Sequence, residues 1–156
     1  NPAGAVYRVA LGTGVITQVA AGLAFPNGLA FTADGRQLIV AESAWERLLQ
    51  FRVADDGTLH DQTIFAGMPG GDPDGMNFDI AGRLYVAHFG AGMVVVFDAK
   101  GQRLHEIPTP GRKPSNVEFA GPDLRTLYLT EDETHAVYRT TVEVPGLPLK
   151  ACGLRL

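Results

Sequence analysis

The sequence predicts an all-β fold, a β-propeller built from four-stranded antiparallel blades, and two observations predict it. The first is a returning phrase. "PNGLAF", "PDGMNF" and "PSNVEF" end at Phe31, Phe78 and Phe119, and each leads through a further turn into an apolar run: "TADGRQLIVAES", "DIAGRLYVAHFG" and "AGPDLRTLYLTED". A self-similar unit of ~40–45 residues that reads as four strands is a propeller blade. The second is punctuation: 19 glycines and 10 prolines are scattered between short apolar runs rather than gathered in a linker. Runs of about four to eight residues rich in Val, Leu, Ile, Phe and Tyr, bounded by Gly, Asp and Pro, are the strand signature. A β-sandwich has no reason to repeat one phrase at this interval.

Residues 1–24 hold two runs, "GAVYRVAL" and "VITQVAAGL", which match the third and fourth strands of a blade whose first two are missing. Residues 25–68 hold a whole blade ("PNGLAF", "RQLIVAES", "RLLQFRV", "QTIFAG"), and so do residues 69–112 ("PDGMNF", "RLYVAHFG", "GMVVVFDA", "HEIPTP"). The last blade, residues 113–156, shows three runs: "PSNVEF", "RTLYLTED" and "HAVYRTTV". Residues 1–156 therefore form a single incomplete propeller domain of about three and a half blades. "SAWERLLQF" read alone passes for a helical turn, but no segment sustains a helical period with caps. The phrases that open each inner strand are expected to be tight turns, with Pro presetting one torsion and Gly accepting a positive one. So open a ring exposes apolar faces that soluble monomers avoid. The expected partner is a missing amino-terminal half, or another copy of the chain.

Composition excludes several functions. A net charge of −4 gives no electrostatic footprint for nucleic acid. The longest apolar runs, such as "MVVVF", are too short to cross a bilayer, so no membrane partner is expected. No secretory leader is visible, which favours a cytoplasmic protein, but the chain opens on Asn1 and a lost leader stays open. The single cysteine, Cys152, cannot form an internal disulfide and sits near the chain end. There is no G-x-S-x-G phrase for a serine nucleophile, and the glycines of "GTGVIT" and "GAGM" precede no phosphate-cradling helix. "DPDGMNFD" lacks the later acidic positions of an EF-hand. His60, His105 and His135 are scattered.

An antiparallel meander reverses at every strand, so the head of strand one and the turn between strands two and three share one end of the ring. That end carries Asn27, Asp74 and Ser115, together with "ESAWER", "HFGAGM" and "EDETH". The other end carries routine Asp-Gly and Ala-Gly hairpin turns. Asn and Asp also cap turns by bonding their own backbone. Their recurrence on one face instead favours convergence at the mouth of a central channel. An amide oxygen and a carboxylate are hard donors suited to Ca²⁺, Mg²⁺ or Mn²⁺, less selectively to Zn²⁺. His88, Phe89, Trp45 and Ser115 are candidate pocket residues on the same end. Glu42, Glu131 and Asp132 could attract a second cation, but solvated loop carboxylates are the commoner case, and they are read as such.

At these residues the chain resembles the SMP-30/gluconolactonase/regucalcin family. "FPNGLAFTADGRQLIVAES", "GGDPDGMNFDIAGRLYVAHFGAGMVVVFD" and "PSNVEFAGPDLRTLYLTE" look like its carboxy-terminal half, and the similarity covers essentially the whole chain. The resemblance implies a six-bladed propeller with one divalent metal ion on the channel axis, Ca²⁺ before Mg²⁺, Mn²⁺ or Zn²⁺. It implies that Asn27 and Asp74 are metal ligands and that Asp74 is also the catalytic general base. A glutamate ligand and a substrate-contacting arginine would lie in the missing half. The implied activity is metal-dependent hydrolysis of small sugar-type lactones by water. Two other readings stay open: a Ca²⁺-binding regulatory propeller without lactonase activity, and a non-catalytic interaction scaffold.

Overall fold

The structure, a computed structural model, describes residues 2–148. Cys152 and the end of the last predicted blade lie outside the described residues. The strands are β1 (Gly4–Ala10), β2 (Val15–Leu23), β3 (Pro26–Phe31), β4 (Gln37–Glu42), β5 (Arg47–Val53), β6 (Leu59–Gly67), β7 (Asp72–Phe78), β8 (Leu84–Phe89), β9 (Met93–Phe97), β10 (Arg103–Pro108), β11 (Pro114–Ala120), β12 (Thr126–Glu131) and β13 (Ala136–Thr141). They pair in chain order into four sheets, β1–β2, β3–β6, β7–β10 and β11–β13. Every pairing is antiparallel. These are propeller blades, two of them with all four strands. Where "SAWERLLQF" hints at a helix there is only a short 3₁₀ turn, Ser43–Trp45. It ends at Glu46, whose φ of 48° is left-handed, and β5 then pairs back onto β4.

Burial explains the composition of the strands. The central strands "LYVAHF" and "MVVVF" are buried on both faces because each lies between two neighbouring blades. Alternate residues point opposite ways along a strand. Leu84 and Val86 accordingly pack with Ile39, Ala41 and Leu48 of the blade before, while Tyr85 and Ala87 pack with Val117, Phe119, Leu127 and Leu129 of the blade after. Tyr85 meets Phe119 edge-on, ring centres 5.0 Å apart. The β1–β2 hairpin covers the other side of β4 and β5 through Val6 and Leu23. In β12 the pattern reverts to alternation: Leu127 and Leu129 are buried, Tyr128 and Thr130 exposed. That sheet has a covered face and an open one.

At one end lie the hairpin turns expected from Asp-Gly and Ala-Gly, with Gly35, Gly57 and Gly82 at positive φ. At the other end the inner strands β3, β7 and β11 begin, and β7 lies against both of the others. Among the described residues, no helix is long and apolar enough to cross a membrane.

Candidate metal centre

The head of each inner strand carries a proline paired with a buried polar residue of the next strand: Pro26 with Glu42, Pro73 with His88, Pro114 with Glu131. Directly after each proline the register skips, between Pro26 and Leu29, Pro73 and Met76, and Pro114 and Asn116. A bulge releases its residues from the ladder and re-aims their side chains. The released residues include Asn27, Asp74 and Ser115. The sequence expectation of tight turns at these phrases is therefore corrected: they are bulged strand heads.

Their glycines serve a different purpose from turn glycines. Gly28 and Gly75 are not among the positive-φ residues. A Cβ on Gly28 would lie 2.2 Å from the Asp74 carbonyl oxygen, and one on Gly75 would lie 2.8 Å from the Asn116 Cα. The three inner strands approach so closely near the axis that only glycine fits.

The residues opposite the prolines hold this end together. Glu42 is fully buried; its Oε1 accepts from the Ala24 N–H at 2.8 Å and its Oε2 from Arg47 Nε at 2.5 Å. Glu131 accepts from the backbone of Lys113 and from the backbone and hydroxyl of Thr134. Burial alone would raise its carboxyl, but those hydrogen bonds outweigh it and leave the group below its ordinary value. The reading of Glu42 and Glu131 as solvated carboxylates is thus overturned, because their partners are strand-entry N–H groups that water would otherwise satisfy. Replacing Glu42 by Gln keeps the shape but removes the charge facing Arg47; the expected cost is about 1–2 kcal/mol in a urea titration.

His88 sits inside the wall, 2 % exposed. Its Nε2 donates to the Met68 carbonyl at 3.0 Å, and its Nδ1 is buried without a partner. The structure does not bring it to the surface of the mouth. Trp45 is half exposed on the 3₁₀ turn, with the Arg47 guanidinium 4.4 Å above its ring. Phe89 is partly buried, under the Lys113 ammonium at 5.9 Å.

The strand heads that carry Asn27 and Asp74 do come together, with Gly28 against the Asp74 backbone. Asp74 is partly buried at the head of β7, and loss of water pushes its carboxyl up to about 6. The Asp132 carboxylate adds to the rise, as to a lesser degree does Asp72, while hydrogen bonds with the Gly75 backbone and the Asn27 side chain oppose it. An amide and a carboxylate thus stand side by side where negative charge is in excess. That donor set fits a divalent cation. Ser115, partly buried, contacts the Thr130 hydroxyl at 2.9 Å and donates to Asp132 Oδ1 at 3.2 Å, closing the same rim. Among the described residues no three His, Cys, Asp or Glu side chains gather into a metal site.

Asp132, expected to be a solvated loop carboxylate, is exposed and also borders the rim through Ser115. One signal pointed to it: Asp132 follows Glu131 as Ser43 follows Glu42, in equivalent places of two blades. Below the rim, a groove of about 610 Å³ runs along the inner strands. Its wall starts one residue past each rim position, at Gly28, Gly75 and Asn116, and includes Leu29, Met76 and Glu118.

The family described as the SMP-30/gluconolactonase/LRE-like region matches residues 1–132. Pentonolactonase of Haloferax volcanii is 34 % identical, over 92 % of this chain and 56 % of its own length. The solved gluconolactonase of Xanthomonas campestris superposes with a TM-score of 0.77 at 34 % identity, over 92 % of this chain and 45 % of that one. A calcium-binding protein, regucalcin, of Agrobacterium tumefaciens superposes with a TM-score of 0.82 at 24 % identity, over 95 % of this chain and 57 % of that one; it shares the fold. The chain spans about half the length of these proteins.

Proposed function

The chain belongs to the SMP-30/gluconolactonase/LRE-like family, and from that premise we propose that its protein hydrolyses small sugar-type lactones at a divalent-metal centre held in part by Asn27 and Asp74. The observation that supports this reading is the close approach of the β3 and β7 heads, which carry those two residues, with the Asp74 carboxyl raised to about 6. The lactonase relatives support the reaction class. The calcium-binding protein of like fold supports Ca²⁺ as the ion.

When bound, the ion would supply Lewis-acid polarisation of the lactone carbonyl. Asp74 takes the proton of the attacking water; a carboxylate with a pKa near the working pH is a better base than an ordinary one. Asn27 gives an oxygen without adding charge, which keeps the site from being over-anionic. Ser115 and Asp132 offer hydrogen-bond partners to substrate hydroxyls, and Trp45 and Phe89 provide the apolar flanks. The remaining metal ligands come from polypeptide that completes the ring, or from another copy of the chain. His88 acts from within the wall, by fixing the strand that ends beside Asp74.

A panel of sugar lactones, assayed with and without Ca²⁺, tests the proposal. Turnover that needs the ion supports it. Ion binding without turnover would make the protein a calcium binder instead, and no ion binding would leave a scaffold.

Acidity gives an independent check. Protons compete with the ion for Asp74, so Ca²⁺ affinity should be flat above pH ~7 and fall about tenfold per unit well below 6. The sign for the ion-free fold is opposite. A carboxyl raised from its ordinary 3.8 to about 6 favours folding while protonated. Its contribution is complete below 3.8 and is lost as pH rises through 6. Calorimetric titration and melting curves between pH 4 and 8 would read both trends; parallel trends would remove Asp74 from the site.

A further inference from the structure

Asn27 and Asp74 both sit where their own sheets do not hold them. The register skips from Pro26 to Leu29 on one strand and from Pro73 to Met76 on the other. Pro73 has no N–H to anchor it either. Something outside each ladder must set the separation of the two heads.

Ser43 is in the right place. It is 1 % exposed, at the start of the 3₁₀ turn that follows β4. Its N–H donates to the Phe25 carbonyl at 3.1 Å, two residues before Asn27. Its Oγ donates to the Pro73 carbonyl at 2.6 Å, the residue immediately before Asp74. One residue is therefore tied to the entry of both strand heads, across the seam between two blades. Phe25 has a left-handed φ of 55°, a strained conformation for a non-glycine residue, and the Ser43 bond helps to hold it. At the next seam the loop residues Gly90 and Gly92 donate to the Arg112 carbonyl, and the side chain that joins the two loops is exposed: the Arg112 guanidinium donates to the Gly90 carbonyl at 3.1 Å. The buried tether, that of Ser43, stands at the seam whose two heads carry the proposed ligands.

We infer that Ser43 is a positioning residue that holds Asn27 and Asp74 at the separation a divalent cation requires, an inference that rests on their assignment as ligands. It touches neither ion nor substrate and acts through the two strand heads. Ser43→Ala keeps the backbone bond to Phe25 and removes only the tether to Pro73. Ser43→Thr restores a hydroxyl.

The test compares Ser43→Ala, Ser43→Thr and a control, Val96→Ala, which opens a cavity in the far seam, where Val96 is fully buried. Ca²⁺ affinity is read by calorimetry in the protein, and the side-chain amide of Asn27 and backbone amide of Asp74 by NMR. Ser43→Ala should weaken Ca²⁺ about tenfold and shift both amides, with Ser43→Thr recovering most of the affinity. Val96→Ala should lower the melting temperature and leave affinity and both amides unchanged. The inference is overturned if Ser43→Ala moves neither amide, or if Val96→Ala weakens Ca²⁺ equally. Should the parent protein bind no Ca²⁺, the ligand assignment fails, while the amide shifts still decide whether Ser43 sets the geometry.

Discussion

Replacing Asp74 by alanine is expected to abolish divalent-metal binding and to lower lactone turnover by at least about a thousandfold, while the fold survives. On the proposed roles two losses combine: one of the two oxygen ligands assigned to this chain, and the base assigned to take the proton from water. The fold survives because Asp74 belongs to none of the apolar seams between blades. Its carboxyl is raised by burial and by the Asp132 charge, so the folded protein holds the ionised form at a cost. Removing it relieves that repulsion. The ion-free variant should therefore melt at the same temperature as the parent or slightly above it, as is common where a site is tuned for function. Asp74→Asn separates the two roles: it keeps an oxygen donor but no base, so some metal affinity should remain with turnover still lost. Calorimetry, thermal melting and a lactonase assay on the same samples decide the matter. Unfolding of Asp74→Ala would show that the residue is a structural cap and no ligand.

Much of this arrangement is legible in the sequence, for physical reasons that also mark where reading stops. Strand burial is legible because a strand covered on both faces needs no polar alternation, as in "LYVAHF", and one with an open face does, as in "TLYLTE". The shared end of Asn27, Asp74 and Ser115 is legible because a meander alternates its connections, whatever its side chains. The role of the glycines is not. Pro-Asn-Gly and Pro-Asp-Gly have the composition of a tight turn, and only the neighbouring strand reveals that the missing Cβ matters more than the torsion. Nor are the buried partners of Glu42 and Glu131 legible, since backbone N–H groups leave no mark in composition. A glutamate inside "ESAWER" looks solvated until the chain it grips is known.

The glycine of the first strand head gives the second large effect. Gly28→Ala places a Cβ where the Asp74 carbonyl oxygen is 2.2 Å away and the Gly75 Cα 2.9 Å away. Both are backbone atoms, so no rotamer change relieves the overlap, and β3 and β7 must separate. Overpacking of this kind costs about 1–3 kcal/mol. The greater consequence falls on the site, because the strand pushed aside is the one that carries Asp74. A displacement of about 1 Å at a reacting group can cost a factor of about a hundred. Gly28→Ala is accordingly expected to weaken Ca²⁺ binding and turnover by about that factor, well beyond its effect on stability. Gly35→Ala provides the contrast. Its Cβ would meet nothing within 4 Å, but the residue has a φ of +69°. It should lose about 1 kcal/mol through backbone strain and leave the metal affinity as it was. Equal stability losses with unequal affinities would mean that the close approach of β3 and β7 builds the centre. If both variants kept full affinity, the narrow spacing of the strand heads would be a feature of packing alone, and the centre would have to tolerate their separation.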